Sequence, residues 1–278
     1  AFNVALSGAA WPNTFYAKQA EYAILRELPL WQNLLKVSLP PEIGGPALLL
    51  PGVVVALYQV GRTKRREALI PLGWGATVLV AYALRLPVDY QHGRYVMPVI
   101  PIVILIGAGG MAQIVQLSAT TVIPRVLSRA WALALALVSV VFVGLGAQTY
   151  STDVTIIETE MVATARWVNA CTAPDAKIAA HDIGALGYFG GRPIWDLAGL
   201  VSPDVIPFIR DEAHLAQWLE TVQANYVMTF PGWYPQLAQR YGPPVFQTKG
   251  VAGPRAGGEN MAVYCVRGAC ARACPARP

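Results

Sequence analysis

Charge is scarce in this chain: its 278 residues carry 21 Lys/Arg, 16 Asp/Glu and three His. The cations also sit in short loops beside apolar runs rather than on one broad face, which excludes a nucleic-acid partner. A zinc site is lacking too. Besides Cys171, the cysteines Cys265, Cys270 and Cys274 form a Cys-x4-Cys-x3-Cys tail that fits no zinc-ligand spacing. No dinucleotide fingerprint is present, since Gly184-x-x-Gly187-x-x-Gly190 has the wrong spacing and reads as close strand–helix packing. A Ser/His/Asp set is absent as well, and His214 reads as part of a solvated helix face. No charged n-region followed by a short apolar core and a cleavage site is seen in this stretch, so no signal peptide is expected within it. The sequence opens on Ala1 and is expected to be the C-terminal part of a longer protein whose earlier spans lie upstream.

What charge there is divides unevenly. Residues 1–150 hold 11 Lys/Arg and 5 Asp/Glu, whereas 151–278 hold 10 and 11. The first part is apolar and the second has the balance of a soluble domain, so the boundary falls near Tyr150. The fold expected is an α-helical multi-span membrane domain followed by a small extracytoplasmic α/β domain. Residues 1–45 read as an extracytoplasmic loop with short helices along the membrane surface, broken at Pro29 and at Pro40-Pro41. Residues 46–150 read as four transmembrane helices at 46–60, 68–86, 96–115 and 131–150. They are rich in Gly and Ala, which permit close helix contacts in lipid. Basic loops at 61–67 and 116–130 place those sides in the cytoplasm, leaving everything after Tyr150 outside the cell membrane.

Residues 151–266 alternate helix and strand, which implies a mostly parallel α/β layer. The helices are expected over 156–169, 212–223 and 235–241. Strands are expected over 177–181, 193–197, 226–230, 245–248 and 262–266. The composition of 267–278, rich in Ala, Arg and Pro, predicts a disordered tail, although an oxidising compartment would permit disulfides there.

A polar loop within residues 88–101 stands between two apolar runs. It holds Asp89, Tyr90, His92, Arg94 and Tyr95. Polar groups at the edge of hydrocarbon either serve a substrate that also sits there or anchor helix ends at the interface. Read with the Pro12-Asn13-Thr14-x-x-x-Lys18 segment, the His92-Gly93-Arg94-Tyr95 run followed by Pro-rich apolar residues resembles the later half of bacterial glycosyltransferases of the GT-C superfamily. These enzymes use polyprenyl-phosphate sugars, and the likeness is to the protein mannosyltransferases and arabinofuranosyltransferases. Asp182-Ile183-Gly184-x-Leu186-Gly187-Tyr188 and Asp196-Leu197-Ala198-Gly199-Leu200 are similar to their extracytoplasmic domains.

The resemblance implies an integral-membrane enzyme moving a sugar from a polyprenyl-phosphate donor to an extracytoplasmic glycan or protein acceptor. Membrane lipid surrounds it, and a divalent cation would be held mainly by residues upstream. The catalytic carboxylate is expected upstream too, so this stretch alone is expected to be inactive. Here Arg94 would grip phosphate oxygens through its planar fork, His92 would add a hydrogen bond and Lys18 a point charge. Asp89, Tyr90 and Asn13 would meet sugar hydroxyls. The alternative is a non-enzymatic membrane protein whose spans anchor an α/β binding or sensing domain. Two further positions carry weaker signals. His181-Asp182 ends a strand where α/β sheets bind ligands, with an exposed turn as the plainer reading, and Asp196 is a lone carboxylate that would contact a sugar or a metal.

Overall fold

The computed structural model of the chain describes residues 2–63, 69–88, 91–117 and 121–267, with Cys270 and Cys274. It forms two compact units. The helical one is Tyr22–Gln148, and the α/β one joins Ala1–Glu21 to Thr149–Pro278. The stretch 1–45 is therefore divided. Helices α1 (Phe2–Ser7) and α2 (Asn13–Glu21) belong to the α/β unit, whereas a 3-10 turn at Ala23–Glu27 and α3 (Leu30–Glu42) belong to the helical unit. Pro29 precedes α3, as the sequence predicts, but Pro40 and Pro41 do not break it. Both lie in its last turn, and the backbone becomes extended only at Ile43.

The helical unit continues with α4 (Leu50–Thr63), α5 (Leu69–Arg85), α6 (Ile100–Leu117) and the first part of α7 (Val122–Ile156). Among the described residues, three helical runs are long and apolar enough to cross a membrane: Gly45–Arg62, Met97–Gln116 and Val122–Cys171. Helix α5 is apolar but shorter, at 17 residues. The last run starts earlier than the predicted span at 131 because Pro124 falls in its first turn, where the missing N–H has no partner to lose.

Small residues set the packing. A Cβ on Gly52 would collide with the Gly107 carbonyl, and one on Gly110 with the Gly52 carbonyl, so α4 and α6 touch backbone to backbone. Val37, Ala83 and Val96 form a second buried contact between α3, α5 and the segment before α6. Trp131 Nε1 donates to the Leu48 carbonyl at 2.8 Å and ties α7 to the same unit. The outward side chains are apolar: Ile70, Leu105, Val140 and Val143 are each more than 70 % exposed. Such a surface is compatible with hydrocarbon and not with bulk water.

In the α/β unit the helical run passes through a π-helical turn at Ile157–Val162 and continues as α8 (Ala163–Cys171). It therefore does not start afresh near residue 156. Five strands follow: β1 (Ile178–Ala180), β2 (Ile194–Asp196), β3 (Tyr226–Thr229), β4 (Phe246–Gln247) and β5 (Ala262–Cys265). They are ordered β2-β1-β3-β5-β4. Strand β1 pairs parallel with β2 and β3, but β5 runs antiparallel to β3 and β4. The sheet is mixed rather than mostly parallel.

The alternation of side chains divides β3 between two cores. Tyr226 and Met228 face α8 with Ala165, Val168 and Leu186. Val227 faces the other layer, with Leu215 and Leu219 of α9 (Glu212–Thr221) and Leu237 of α10 (Pro235–Tyr241). Inside the π turn, the fully buried Glu160 accepts hydrogen bonds from Met261 N (2.9 Å), Asn260 Nδ2 (3.1 Å) and the Thr248 hydroxyl. It pins the segment carrying α11 (Ala252–Arg255), and with it the antiparallel return of β5, to the long helix.

The expectation of a disordered tail falls mainly outside the described residues. The two tail cysteines that are described form disulfides, Cys171–Cys274 and Cys265–Cys270, with Cα separations of 5.0 and 5.8 Å.

Candidate functional site

The strands β1 and β3 are parallel neighbours, so their C-terminal ends open on the same edge of the sheet, where α/β folds collect ligand-binding groups. The chain leaves β1 through His181 and Asp182. After β3 it enters a short 3-10 turn, Pro231–Trp233, followed by Tyr234. Helix α2 lies against this edge. Ala17 is fully buried and a Cβ on Gly199, after β2, would stand 3.5 Å from it, while Glu21 reaches His181.

A chain of four side chains results. Tyr234 Oη lies 2.7 Å from His181 Nδ1, His181 Nε2 stands 3.3 Å from Glu21 Oε1, and Lys18 Nζ donates to Glu21 Oε2 at 2.7 Å. Burial, together with the nearby charges of Glu21, Asp196 and Glu212, pushes the Tyr234 phenol well above its ordinary range, so its hydroxyl stays protonated beside Nδ1. His181 Nε2 faces the carboxylate. Burial by itself would raise the Glu21 carboxyl, but hydrogen bonds from His181 and Lys18, with their charge, outweigh it and hold it at about 2. Glu21 is therefore a fixed anion and a poor general base near neutral pH. The His181 ring also meets Trp233 edge-on at 4.9 Å, and Trp233 packs on Phe230.

This arrangement makes a prediction. The folded pKa of Glu21 lies below its ordinary 4.5, so its contribution is present above that value and is lost as pH falls through about 2. Glu21→Gln is expected to cost roughly 1–2 kcal/mol at pH 7, allowing for partial solvent screening, and almost nothing at the acid end. Denaturant titrations of both forms between pH 7 and pH 2 check it. A constant gap at all pH values would place the loss in packing rather than in the carboxylate.

The sequence-predicted residues separate into two sets. Asn13 and Lys18 share α2 in the α/β unit. His92 and Arg94 share a turn of the helical unit, and Asp89 and Tyr90 lie outside the described residues. Lys18 is part-buried and paired with Glu21 rather than presented as a lone point charge. His92 holds a left-handed backbone (φ 58°), followed by Gly93 at φ 64°. For a non-glycine residue that conformation costs on the order of 1–2 kcal/mol, and it turns the loop sharply. Arg94 is exposed, with its guanidinium 4.9 Å over the Tyr95 ring and Nη2 donating to the Tyr95 hydroxyl at 3.0 Å. Tyr95 in turn leans on Tyr82 of α5. The stack seats the guanidinium on the ring beside it.

Asp196 is not available to a ligand. It is fully buried, and its carboxylate accepts the backbone N–H groups of Ala198, Leu200 and Val201, closing the loop after β2. Among the described residues no three His, Cys, Asp or Glu side chains gather as a metal-ligand set. His181 is also no exposed turn residue, since both its ring nitrogens are engaged. Sequence reasoning missed Glu21 and Tyr234 altogether. The signals were an acid three residues after Lys18 on one helix, and an aromatic pair just after a strand.

A family model described as a domain of unknown function (DUF8728) matches residues 139–264. That match begins inside α7 and ends within β5. No curated protein and no solved structure matches the chain.

Proposed function

We propose that the chain is part of an integral-membrane glycosyltransferase that takes its sugar from a polyprenyl-phosphate donor and acts on an acceptor outside the cytoplasm. The observation that carries this reading is the meeting of α2 with the edge formed by His181 and Gly199. Among the stretches that resemble GT-C enzymes, the one carrying Asn13 and Lys18 and the ones that follow β1 and β2 are far apart in sequence, yet they pack together through Glu21–His181 and Ala17–Gly199. The strained His92-Gly93-Arg94 turn between apolar helices adds a ring-stacked guanidinium suited to a lipid phosphate. In this reading, within the helical unit, Arg94 bears the charge of the departing phosphate and His92 assists it; within the α/β unit, Lys18, steadied by Glu21, supplies a point charge and Asn13 a partner for a sugar hydroxyl.

Donor binding tests it. In detergent micelles the purified protein is expected to bind an undecaprenyl monophosphate at least tenfold more tightly than undecaprenol, and Arg94→Ala should abolish that preference. Equal binding of the two lipids would remove the phosphate from the reading and favour the anchored binding domain.

Orientation is testable separately. The four native cysteines are paired, so they stay silent towards a maleimide unless reduced. In intact cells a cysteine at Thr63 is expected to be shielded from an impermeant maleimide, and one at Met97, beside the Arg94 turn, to be labelled. Labelling at Thr63 with none at Met97 would invert the topology.

A further inference from the structure

We propose that the open edge of the α/β sheet carries a binding subsite for one uncharged sugar ring, built on the exposed indole of Trp233 and the carboxylate of Glu259. Topology brings the two together. Because β5 runs antiparallel to β3, with Thr229 opposite Ala262, the chain enters β5 where it leaves β3. The loop ending in Glu259 therefore meets the Pro231–Trp233 turn, beside the exit of β1 at His181. Glu259 Oε2 accepts the Gly232 N–H at 2.5 Å. A Cβ on Gly232 would stand 3.0 Å from both carboxylate oxygens, so glycine at this position is what lets the carboxylate come up against the turn.

Next to that contact, Trp233 remains 49 % exposed. Its ring meets His181 at 4.9 Å and 72°, and Phe230 at 4.9 Å and 62°, so two neighbours seat it edge to face. An indole beside a fixed carboxylate suits a ligand with two kinds of surface. The C–H face of a sugar is weakly positive and lies on the negative face of an aromatic ring, while its rim hydroxyls donate to carboxylate oxygens. Other ligands satisfy one group and not the other. Hydrocarbon would cover Trp233 but strip water from Glu259 without giving it a partner. An anionic ligand would be repelled by Glu259, and Lys18, the cation on the neighbouring α2, is already paired with Glu21 at 2.7 Å. A methylated ammonium is held by a cage of several rings. Here Phe230 and Tyr234 are buried, which leaves Trp233 as the open ring among them. The subsite belongs to the α/β unit. That the sugar held there is the acceptor rests on the transferase reading, whereas the binding itself does not.

Immobilised mannotriose, galactotriose, maltotriose and arabinotriose, probed with the full chain in a detergent that carries no sugar headgroup, test this. Saturable binding to at least one of them is expected. Trp233→Ala should weaken it roughly tenfold or more, the scale of one lost ring stack. Trp233→Phe should keep most of the binding, and Glu259→Gln, which replaces a charged acceptor with a neutral one, should weaken it several-fold. Should Trp233→Ala fail to fold, competition on the wild type decides: the free oligosaccharide is expected to displace the bound one, and a trimethyl-lysine peptide is not. No saturable binding to any of these sugars, binding left unchanged by Trp233→Ala, or displacement by the peptide alone would overturn the proposal. Failed sugar binding beside an intact preference for undecaprenyl monophosphate would strike this subsite and spare the transferase reading. Sugar binding without that preference would do the reverse.

Discussion

Replacing Gly110 with leucine is expected to unfold the helical unit or to leave it too loosely packed to survive purification. The cause is geometric. At Gly110 the first atom of any side chain would fall on the Gly52 carbonyl, and at Gly52 it would fall on the Gly107 carbonyl and crowd Met111. The obstacle is backbone on both helices, so no rotamer change relieves it, and α4 and α6 must separate. Overpacking a core costs about 1–3 kcal/mol where side chains can yield. Here they cannot, and a loss of at least about 3 kcal/mol is expected for Gly110→Leu, with Gly110→Ala close behind it. Gly109→Leu is the control, since a Cβ there meets nothing within 4 Å. Thermal unfolding in detergent, or the fraction of monodisperse protein recovered, checks the pair. Equal behaviour of Gly109→Leu and Gly110→Leu would mean that α4 and α6 do not meet through these glycines.

The same contrast explains what the sequence discloses and what it hides. The apolar runs and their small residues are local patterns, so the helices are legible. Which glycine of 107, 109 and 110 faces α4 is a matter of rotation that hydropathy does not encode. In the α/β unit, alternation along β3 and the spacing of Leu215 and Leu219 in α9 are visible from residue types alone. Strand direction is not. β5 returns antiparallel because Glu160, Asn260, Thr248 and Met261 lock the preceding segment onto a helix distant in the chain. Disulfide partners are hidden for a related reason: four cysteines permit three pairings, and only the placement of Cys171 at the end of α8 selects Cys274.

The site shows the limit most clearly. Lys18 and Arg94 stand out as cations beside apolar or aromatic neighbours, which is a signal one segment can carry. The Glu21–His181 contact is carried by no segment at all, because it exists only once α2 is laid on the sheet edge. Asp196 misleads in the opposite direction. A carboxylate after a strand looks like a ligand group, but an Asp can also satisfy the N–H groups of its own loop, and here it satisfies three. The Cys171–Cys274 link and the latch of α2 both hold segments distant in sequence onto the α/β unit, and a pair of disulfides suits an oxidising compartment.

On the transferase reading proposed above, Arg94→Lys is expected to slow sugar transfer from a polyprenyl-phosphate donor by roughly 30- to 1,000-fold, the equivalent of about 2–4 kcal/mol. The substitution keeps the charge. It removes the planar fork, and with it the seat on the Tyr95 ring and the hydrogen bond from Nη2 to the Tyr95 hydroxyl that hold the cation in place. If the guanidinium mainly meets the charge that develops as the phosphate departs, kcat should fall more than KM rises. Arg94→Ala should be as damaging or worse. Arg85→Ala should change little, although Arg85 is an exposed cation at the end of α5 leading into the same turn. An interfacial anchor behaves otherwise: lysine reaches the headgroups as well as arginine does, so Arg94→Lys would then be nearly silent. Steady-state transfer by equally folded variants separates the two, and near-wild-type turnover for both Arg94→Lys and Arg94→Ala would leave Arg94 as an anchor alone.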